Sequence, residues 1–297
     1  MPPVRPRVGY LGPEGTFSEE ALLASAVAEA VEPVPFASIY DTVMALRQGD
    51  LAWAIVPIEN SLEGSINVTL DLLAGEASAV EIVGEALLRV RHSLIAAEMV
   101  DLREIETVIT HPQVPGQCAL LLRGELAHAR VIPASSTAEA VRSVVDASRR
   151  GQAALGTLLA AKIYGATVIR EGVQDRDDNE TRFVWLARAG HNDEPPLRAS
   201  ATGGWKTSLV FWGPGAERPG WLVRCLDEFA RRDINLTKIE SRPRREWLGS
   251  YMFFADLAGR VGEAHLAAAI AGLGGLCEEV RVLGSYRAAV GPAAQAP

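Results

Sequence analysis

At 297 residues, with a formal net charge of -8 and a pI of about 5.3, the chain is long enough for two domains with sizeable cores and too acidic for the basic surface that nucleic-acid binding needs. No apolar stretch reaches the roughly 18 to 20 residues that span a bilayer, and Met1 to Arg7 holds proline and arginine rather than an apolar leader, so a cytoplasmic location with no membrane contact is expected. The three cysteines, Cys118, Cys225 and Cys277, are widely spaced, and the five histidines are scattered without CxxC or HExxH spacing, which argues against a disulfide framework and a metal site.

In chain order, Arg7 to Leu11 reads as a short strand, then comes the loop Gly12-Pro13-Glu14-Gly15-Thr16-Phe17-Ser18, then an Ala-rich helix from about Glu19 to Ala30. A glycine loop at a helix N-terminus presents backbone N–H groups to an anion, and Thr16 and Ser18 add hydroxyls; simple capping by Ser18 accounts for the same residues. Val34 to Phe36, beside Pro33 and including Pro35, suits an edge strand. Ser38 caps a helix through Gln48, and the strand Trp53 to Pro57 runs into Ile58-Glu59-Asn60-Ser61-Leu62-Glu63-Gly64, polar residues at a strand's carboxyl end where open α/β sheets bind ligands. A helix over about Ile66 to Leu73 follows, and the alternation argues for parallel sheets covered on both faces.

The extended run Ile82 to Ala97 crosses into a second lobe, placed at about residues 92–165. There Val108-Ile109-Thr110 leads into His111-Pro112-Gln113 and a helix carrying Gln117 and Cys118; Ala129 to Ala134 is a strand, and Ser136 with Glu139 fits a capping box. Strand Ala153 to Gly156 and helix Thr157 to Tyr164 complete it, with strands Thr167 to Glu171 and Thr181 to Ala187 returning to the first lobe. Two lobes joined by crossing segments form a cleft, a preferred ligand site. Thr181 enters its strand from the polar loop Asp177-Asp178-Asn179-Glu180, so its hydroxyl can face that cleft while Arg182 takes the opposite face. A linker is expected over 190–205. The pattern after it is βαββαβ, the ferredoxin-like order: Thr207 to Trp212, Trp221 to Arg231, Leu236 to Glu240, Tyr251 to Leu257, Glu263 to Ala271 and Val280 to Ser285. Residues 287–297, rich in Ala and Pro, are expected to be a disordered tail.

Six of these segments stand in collinear order over roughly residues 8 to 286: Gly12 to Ser18; Pro57 to Ser61 with Gly64; His111-Pro112-Gln113 with Gln117-Cys118; Ser136-Thr137-Ala138; Asn179-Glu180-Thr181-Arg182-Phe183; and Asn235 to Pro243. Together they resemble prephenate dehydratase with a C-terminal ACT regulatory domain. The resemblance implies an α/β chain whose catalytic domain, residues 7–189, has two lobes like a type II periplasmic binding protein, followed by a ferredoxin-like ACT domain at 206–286. It implies decarboxylative dehydration of prephenate to phenylpyruvate, carbon dioxide and water. Aromatisation drives that reaction, so no cofactor is expected.

The resemblance assigns Thr181, Asn60, Gln117 and Thr110 to catalysis, with Thr181 donating to the leaving ring oxygen. It groups Thr16, Phe17, Ser18, Glu59, Ser61, Arg182 and Phe183 with the substrate, although a carboxylate such as Glu59 beside a dianion suits a supporting contact better. Gly220, Trp221, Leu222, Asn235, Leu236, Glu240, Ser241, Arg242 and Pro243 match the positions that sense phenylalanine, at an interface that implies a homodimer or homotetramer through the ACT and catalytic domains. The family usually carries Gly-Ala-Leu where this chain has Gly220-Trp221-Leu222, so the indole either crowds the effector pocket or packs away from it. Arogenate dehydratase and a non-catalytic small-molecule sensor are the alternatives; a sensor has no need of Thr181.

Overall fold

The structure, a computed structural model, describes residues 5–191, 193–198, 202–213, 215 and 218–289. The first lobe is built from β1 (Arg7–Leu11), α1 (Phe17–Ser25), β2 (Glu32–Phe36), α2 (Ile39–Gln48), β3 (Trp53–Asn60), β4 (Gly64–Ser65), α3 (Asn67–Ala74) and β5 (Val80–Arg89). The second holds β6 (Ser93–Ala96), β7 (Thr107–Thr110), α4 (Val114–Gln117), α5 (Ala119–Arg123), β8 (Arg130–Pro133), α6 (Thr137–Ala147), β9 (Gln152–Gly156), α7 (Leu158–Tyr164) and β10 (Thr167–Arg170). The chain then returns as β11 (Glu180–Arg188) and ends in β12 (Thr202–Trp212), α8 (Trp221–Ala230), β13 (Leu236–Pro243), β14 (Tyr251–Ala258), α9 (Ala264–Gly274) and β15 (Glu279–Ala289). No described helix is long and apolar enough to cross a membrane.

The first sheet runs β2-β1-β3-β11-β5, with β4 paired to β3; the second runs β10-β6-β9-β7-β8. Both are mixed where parallel sheets were expected. The returning strand β11 is antiparallel to β3 and β5, and β6 is antiparallel to β9 and β10. A second difference concerns β10. It was expected to return to the first lobe, but Thr167 pairs with Ala96 and Val168 with Ile95, so it closes an edge of the second sheet and only β11 returns. The two crossings run side by side, with Val90 N–H donating to Asn179 C=O at 2.8 Å and Val173 N–H to His92 C=O at 2.8 Å.

The C-terminal sheet has order β13-β14-β12-β15, the ferredoxin-like arrangement of a βαββαβ unit. One face carries α8 and α9 over Leu209, Phe211, Cys225, Phe229, Leu266 and Leu273. The other face is not solvated: Val210, Met252, Phe254, Leu283 and Tyr286 join Val56, Leu73, Ile82, Val184 and Leu186 in one core. Backbone meets backbone there, because a Cβ at Gly284 would come within 2.1 Å of the Ile82 carbonyl oxygen. The unit is therefore a third layer on the first lobe. Its strands also overrun the expected 206–286, starting at Thr202 and ending at Ala289. Part of the expected linker is likewise anchored: Leu197 bridges Ala26, and the Arg198 Nε donates to Ala26 C=O at 2.7 Å. A disordered tail was expected from 287, but Arg287 to Ala289 belong to β15; residues 290–297, and linker residues 192 and 199–201, lie outside the described residues.

Candidate active site

A cleft of about 860 Å³ opens between the lobes. Its apolar lining includes Leu11, Phe17, Ile66, Val90 and Val114, and its polar lining includes Ser18, Asn60, His92, Gln117, Asn179 and Thr181. Its position follows from the chain path, since Asn60 ends β3 and Thr181 is the second residue of β11, and the two are cross-strand partners.

Thr181 is buried, and its Oγ accepts a hydrogen bond from Asn60 Nδ2 at 2.9 Å. The amide is fixed in that orientation because its Oδ1 accepts from the N–H groups of Leu62 and Glu63, both at 2.9 Å. Asn60 Nδ2 also donates to Asn179 Oδ1 at 2.8 Å, Asn179 Nδ2 donates to Gln117 Oε1 at 3.0 Å, and His92 Nε2 lies 3.0 Å from that same oxygen. Amide and imidazole thus form one chain of contacts ending on the threonine hydroxyl. Burial holds the His92 pKa below its ordinary value, against the opposing Gln117 contact. The neutral ring must then carry its proton on Nε2 to meet a carbonyl oxygen, and Nδ1 is left without a partner among the described residues.

Helix N-termini face the cleft from both lobes. In the first lobe, Thr16 rather than Ser18 caps α1, and its hydroxyl also donates to Leu11 C=O at 2.8 Å. Thr16 lines the cleft with Phe17 and Ser18, but its hydroxyl is spent on holding its own loop. In the second lobe Ser136 caps α6 by accepting from Glu139 N–H at 3.0 Å, and Ser135 to Thr137 line the opposite wall. The Gly15 loop is held across the lobes, with Thr157 Oγ donating to Gly15 C=O at 2.6 Å and Tyr164 OH to Glu14 C=O at 2.8 Å. It is also braced from within: Glu19 accepts the Gly15 N–H at 2.5 Å, and burial raises its pKa. The cleft's titrating side chains include Glu14, Glu63 and Glu139 beside Arg142, and Arg142 is paired to Glu139 at 2.6 Å, so an anionic ligand would rely on helix ends and neutral donors. Burial also lowers the His111 pKa and pushes the Cys118 thiol up to about 12, which leaves Cys118 a packed, unreactive thiol.

Several residues grouped with this site lie elsewhere. Thr110 is fully buried, its hydroxyl donating to Leu155 C=O at 2.9 Å. Ser61 ties the β3 turn to β11, accepting from Glu180 N–H at 3.0 Å. Phe183 shares the Thr181 face but lies one step further under α1, in a core with Tyr10, Leu22 and Trp185. Arg182 and Glu59 point away from the cleft toward the C-terminal unit, where Arg182 meets Glu85 at 2.7 Å, Asp256 at 2.5 Å and Glu59 at 3.4 Å. Burial opposes the Arg182 charge, but Tyr286, Asp256 and Glu85 outweigh it and raise its pKa.

In the C-terminal unit Gly220 caps α8 in the left-handed conformation, Leu222 is half-buried and Asn235 is exposed. Trp221 is only 3% exposed. Its indole sits among Phe211 and Phe253 and donates from Nε1 to Leu276 C=O at 2.9 Å, so it packs inside the unit. Along β13 alternate residues divide: Ser241 and Pro243 are exposed, whereas Leu236, Glu240 and Arg242 turn inward. Glu240 accepts from Ser65 Oγ at 3.0 Å, and Arg242 grips Asp71 through Nε and Nη2 at 2.8 to 3.0 Å. Sequence reasoning missed His92 and Asn179 as cleft residues. Asn179 lay in the loop leading into Thr181, and His92 lay between Arg91 and Ser93 inside an extended run, with no motif to mark it.

The family model described as prephenate dehydratase matches residues 8–191. A prephenate dehydratase of Mycobacterium sp. (strain JLS) is 40% identical over 302 residues, covering 98% of this chain and 91% of the relative. Among solved structures, the prephenate dehydratase of Arthrobacter aurescens in complex with L-Phe aligns with a TM-score of 0.82 at 35% identity, covering 97% of this chain and 94% of that one. A quorum-quenching acylase aligns with a TM-score of 0.81 at 26% identity, covering 95% and 98%.

Proposed function

The chain belongs to the prephenate dehydratase family, and from that premise we propose that its cleft converts prephenate to phenylpyruvate, carbon dioxide and water, with Thr181 as the donor to the departing ring hydroxyl. In that reaction the bond to the ring carboxylate breaks, its electron pair moves through the ring as aromaticity forms, and the opposite hydroxyl leaves with a proton as water. The protein's task is to hold two carboxylates and stabilise the departing oxygen.

The observation that carries this reading is the contact between Asn60 Nδ2 and Thr181 Oγ. An amide N–H occupies the oxygen's acceptor side, which leaves the hydroxyl hydrogen to be donated; among the described residues no protein acceptor takes it. The same contact polarises the O–H bond toward donation. It also speaks against acylase chemistry at Thr181, since an amide cannot take the proton that an attacking hydroxyl must lose. Gln117, fixed by His92 and Asn179, gives one amide N–H to Glu63 at 3.4 Å and keeps the other for the substrate. Ser18 and the N–H groups opening α1 and α6 suit the two carboxylates from opposite walls. Neutral donors orient a carboxylate that must leave as carbon dioxide without stabilising it as an ion pair would.

The C-terminal unit reads as an ACT domain that takes phenylalanine and lowers turnover. Support comes from the L-Phe complex of the Arthrobacter aurescens relative and from the ferredoxin-like topology. Ser241 stands on the edge strand β13, Asn235 just before it, and Gly220 and Leu222 open α8; a second copy meeting these residues would complete the site and make the protein a homo-oligomer. Purified protein assayed with prephenate and with arogenate tests the reaction. Phenylpyruvate forming from prephenate is expected; preferential conversion of arogenate to phenylalanine would replace the substrate assignment, and turnover of neither would return the cleft to a binding role.

A further inference from the structure

Glu59 and Arg182 are cross-strand partners one step along from Asn60 and Thr181. Side chains alternate along a strand, so the two cleft residues lie on one face of β3 and β11 and the two charges lie on the other. That other face is covered by the C-terminal sheet. Arg182 donates from Nε to Glu85 at 2.7 Å, from Nη1 to Asp256 at 2.5 Å and from Nη2 to Tyr286 OH at 2.7 Å. Lys206 pairs with Glu85 at 2.7 Å and Lys238 with Glu59 at 3.2 Å, while Ser208 Oγ donates to Asp256 at 2.5 Å. The cluster is balanced: cations Arg182, Lys206 and Lys238 face carboxylates Glu59, Glu85 and Asp256, each sign drawn from both sides of the seam.

A buried charge that loses its partner is strongly penalised, so the cluster tolerates little sliding of the C-terminal sheet over the first lobe. Any shift that is tolerated must drag Arg182, and with it the backbone of Thr181. The strand carrying the expected effector residues is part of the same contact. Lys238 on β13 holds Glu59 and donates to Ser65 Oγ at 2.8 Å, and Ser65 in turn donates to Glu240. From β13 to the catalytic hydroxyl the path is Lys238, Glu59, Arg182, Thr181, every link a contact or a peptide bond. It also explains why a carboxylate stands beside Asn60: Glu59 belongs to the seam, and its charge is neutralised there.

We propose that this charged cluster, centred on Arg182 as a positioning residue, sets the place of Thr181 in the cleft and is the route by which phenylalanine at β13 lowers turnover. Only the second half rests on the regulatory reading. The test uses the full chain. Asp256→Asn removes a partner of Arg182 from the side remote from the cleft; it is expected to keep KM for prephenate and lower kcat by about tenfold or more, as small misplacements at a reacting centre do. Lys238→Gln keeps a hydrogen-bonding group near Ser65 but cuts the link to Glu59; it is expected to raise the phenylalanine concentration for half-inhibition by about tenfold, while the calorimetric Kd for phenylalanine changes by less than about threefold. Breaking the exposed Arg170–Glu125 pair with Arg170→Gln is the control and should leave both readouts alone. A folded Asp256→Asn protein with wild-type kcat overturns the positioning role, and a Lys238→Gln protein inhibited like the wild type overturns the route. If the wild type takes no phenylalanine in the calorimeter, the regulatory reading and the route fall together, and kcat of Asp256→Asn still decides the positioning role. Should Asp256→Asn fail to fold, Asp256→Glu keeps the charge, displaces the carboxylate and carries the same expected loss.

Discussion

Thr181→Val separates the catalytic from the structural worth of one hydroxyl. The side chains are nearly isosteric, so the buried site keeps its packing and loses one oxygen. That oxygen accepts a single protein hydrogen bond, from Asn60 Nδ2, whose other acceptors, Asn179 Oδ1 at 2.8 Å and Glu180 C=O at 3.3 Å, remain. No buried N–H is stranded, so the stability cost should be that of an ordinary hydrogen bond, about 0.5 to 1.5 kcal/mol. Loss of a donor aimed at developing charge costs more, about 2.7 to 4 kcal/mol of barrier, or a fall in kcat of roughly 100- to 1000-fold. KM should hold, because the ground-state hydroxyl gains little from the contact. The assay is phenylpyruvate release under saturating prephenate, beside a urea titration of the same sample. Thr181→Ser should recover most of the rate. A valine variant turning over within about threefold of wild type would refute the reasoning.

Trp221→Ala should lower unfolding free energy by about 3 to 5 kcal/mol in a urea titration, because a buried indole leaves a cavity and the Leu276 carbonyl loses its donor; a loss under about 1 kcal/mol would mean the site collapses freely. Gly15→Ala should cost about 1 to 3 kcal/mol, because Gly15 has φ +85° and a Cβ there would meet the Ala160 backbone at 2.8 Å; an unchanged urea midpoint would show that the loop and α7 part easily. The His92 pKa is lowered by folding, so its contribution to stability is present above the ordinary value of 6.5 and is lost as pH falls below it through the folded value. His92→Gln should flatten the fall in urea midpoint on acidification below that value, and an identical pH profile would place the titration elsewhere.

Thr181 was legible because a polar loop running into Phe183-Val184-Trp185-Leu186 marks a strand entry, and period two then separated it from Arg182 correctly. The assignment of Arg182 to the substrate failed for a reason the pattern cannot reveal: alternation says which face a residue takes, not what covers that face. Glu59 and Thr110 share this limit. Trp221 was left between two readings, and only the packing of Phe211, Phe253 and Leu276 chose between them. Most strands were readable, although β4 reads as loop and β5 and β6 read as one extended run; their partners were not. The expected return of β10 failed because Val168 and Ile95 pair across a gap in sequence that no local signal marks. His92 escaped because a single histidine in an extended run looks the same whether it packs or orients an amide.

The position of β11 between β3 and β5 has a consequence for synthesis. A ribosome delivers β3 and β5 early, but the strand that joins them is made only after the whole second lobe has emerged. The second lobe is contiguous from β6 to β10 and can close on itself first. Until Arg188 is out, the nascent first lobe carries two facing, unpaired edges in β3 and β5, each open to a neighbour's strand. Its completion is a long-range closure, slow by the ordinary relation between contact separation and rate. A nascent chain arrested just before residue 180 should therefore display a protease-resistant second lobe beside a first lobe still prone to pair with other chains.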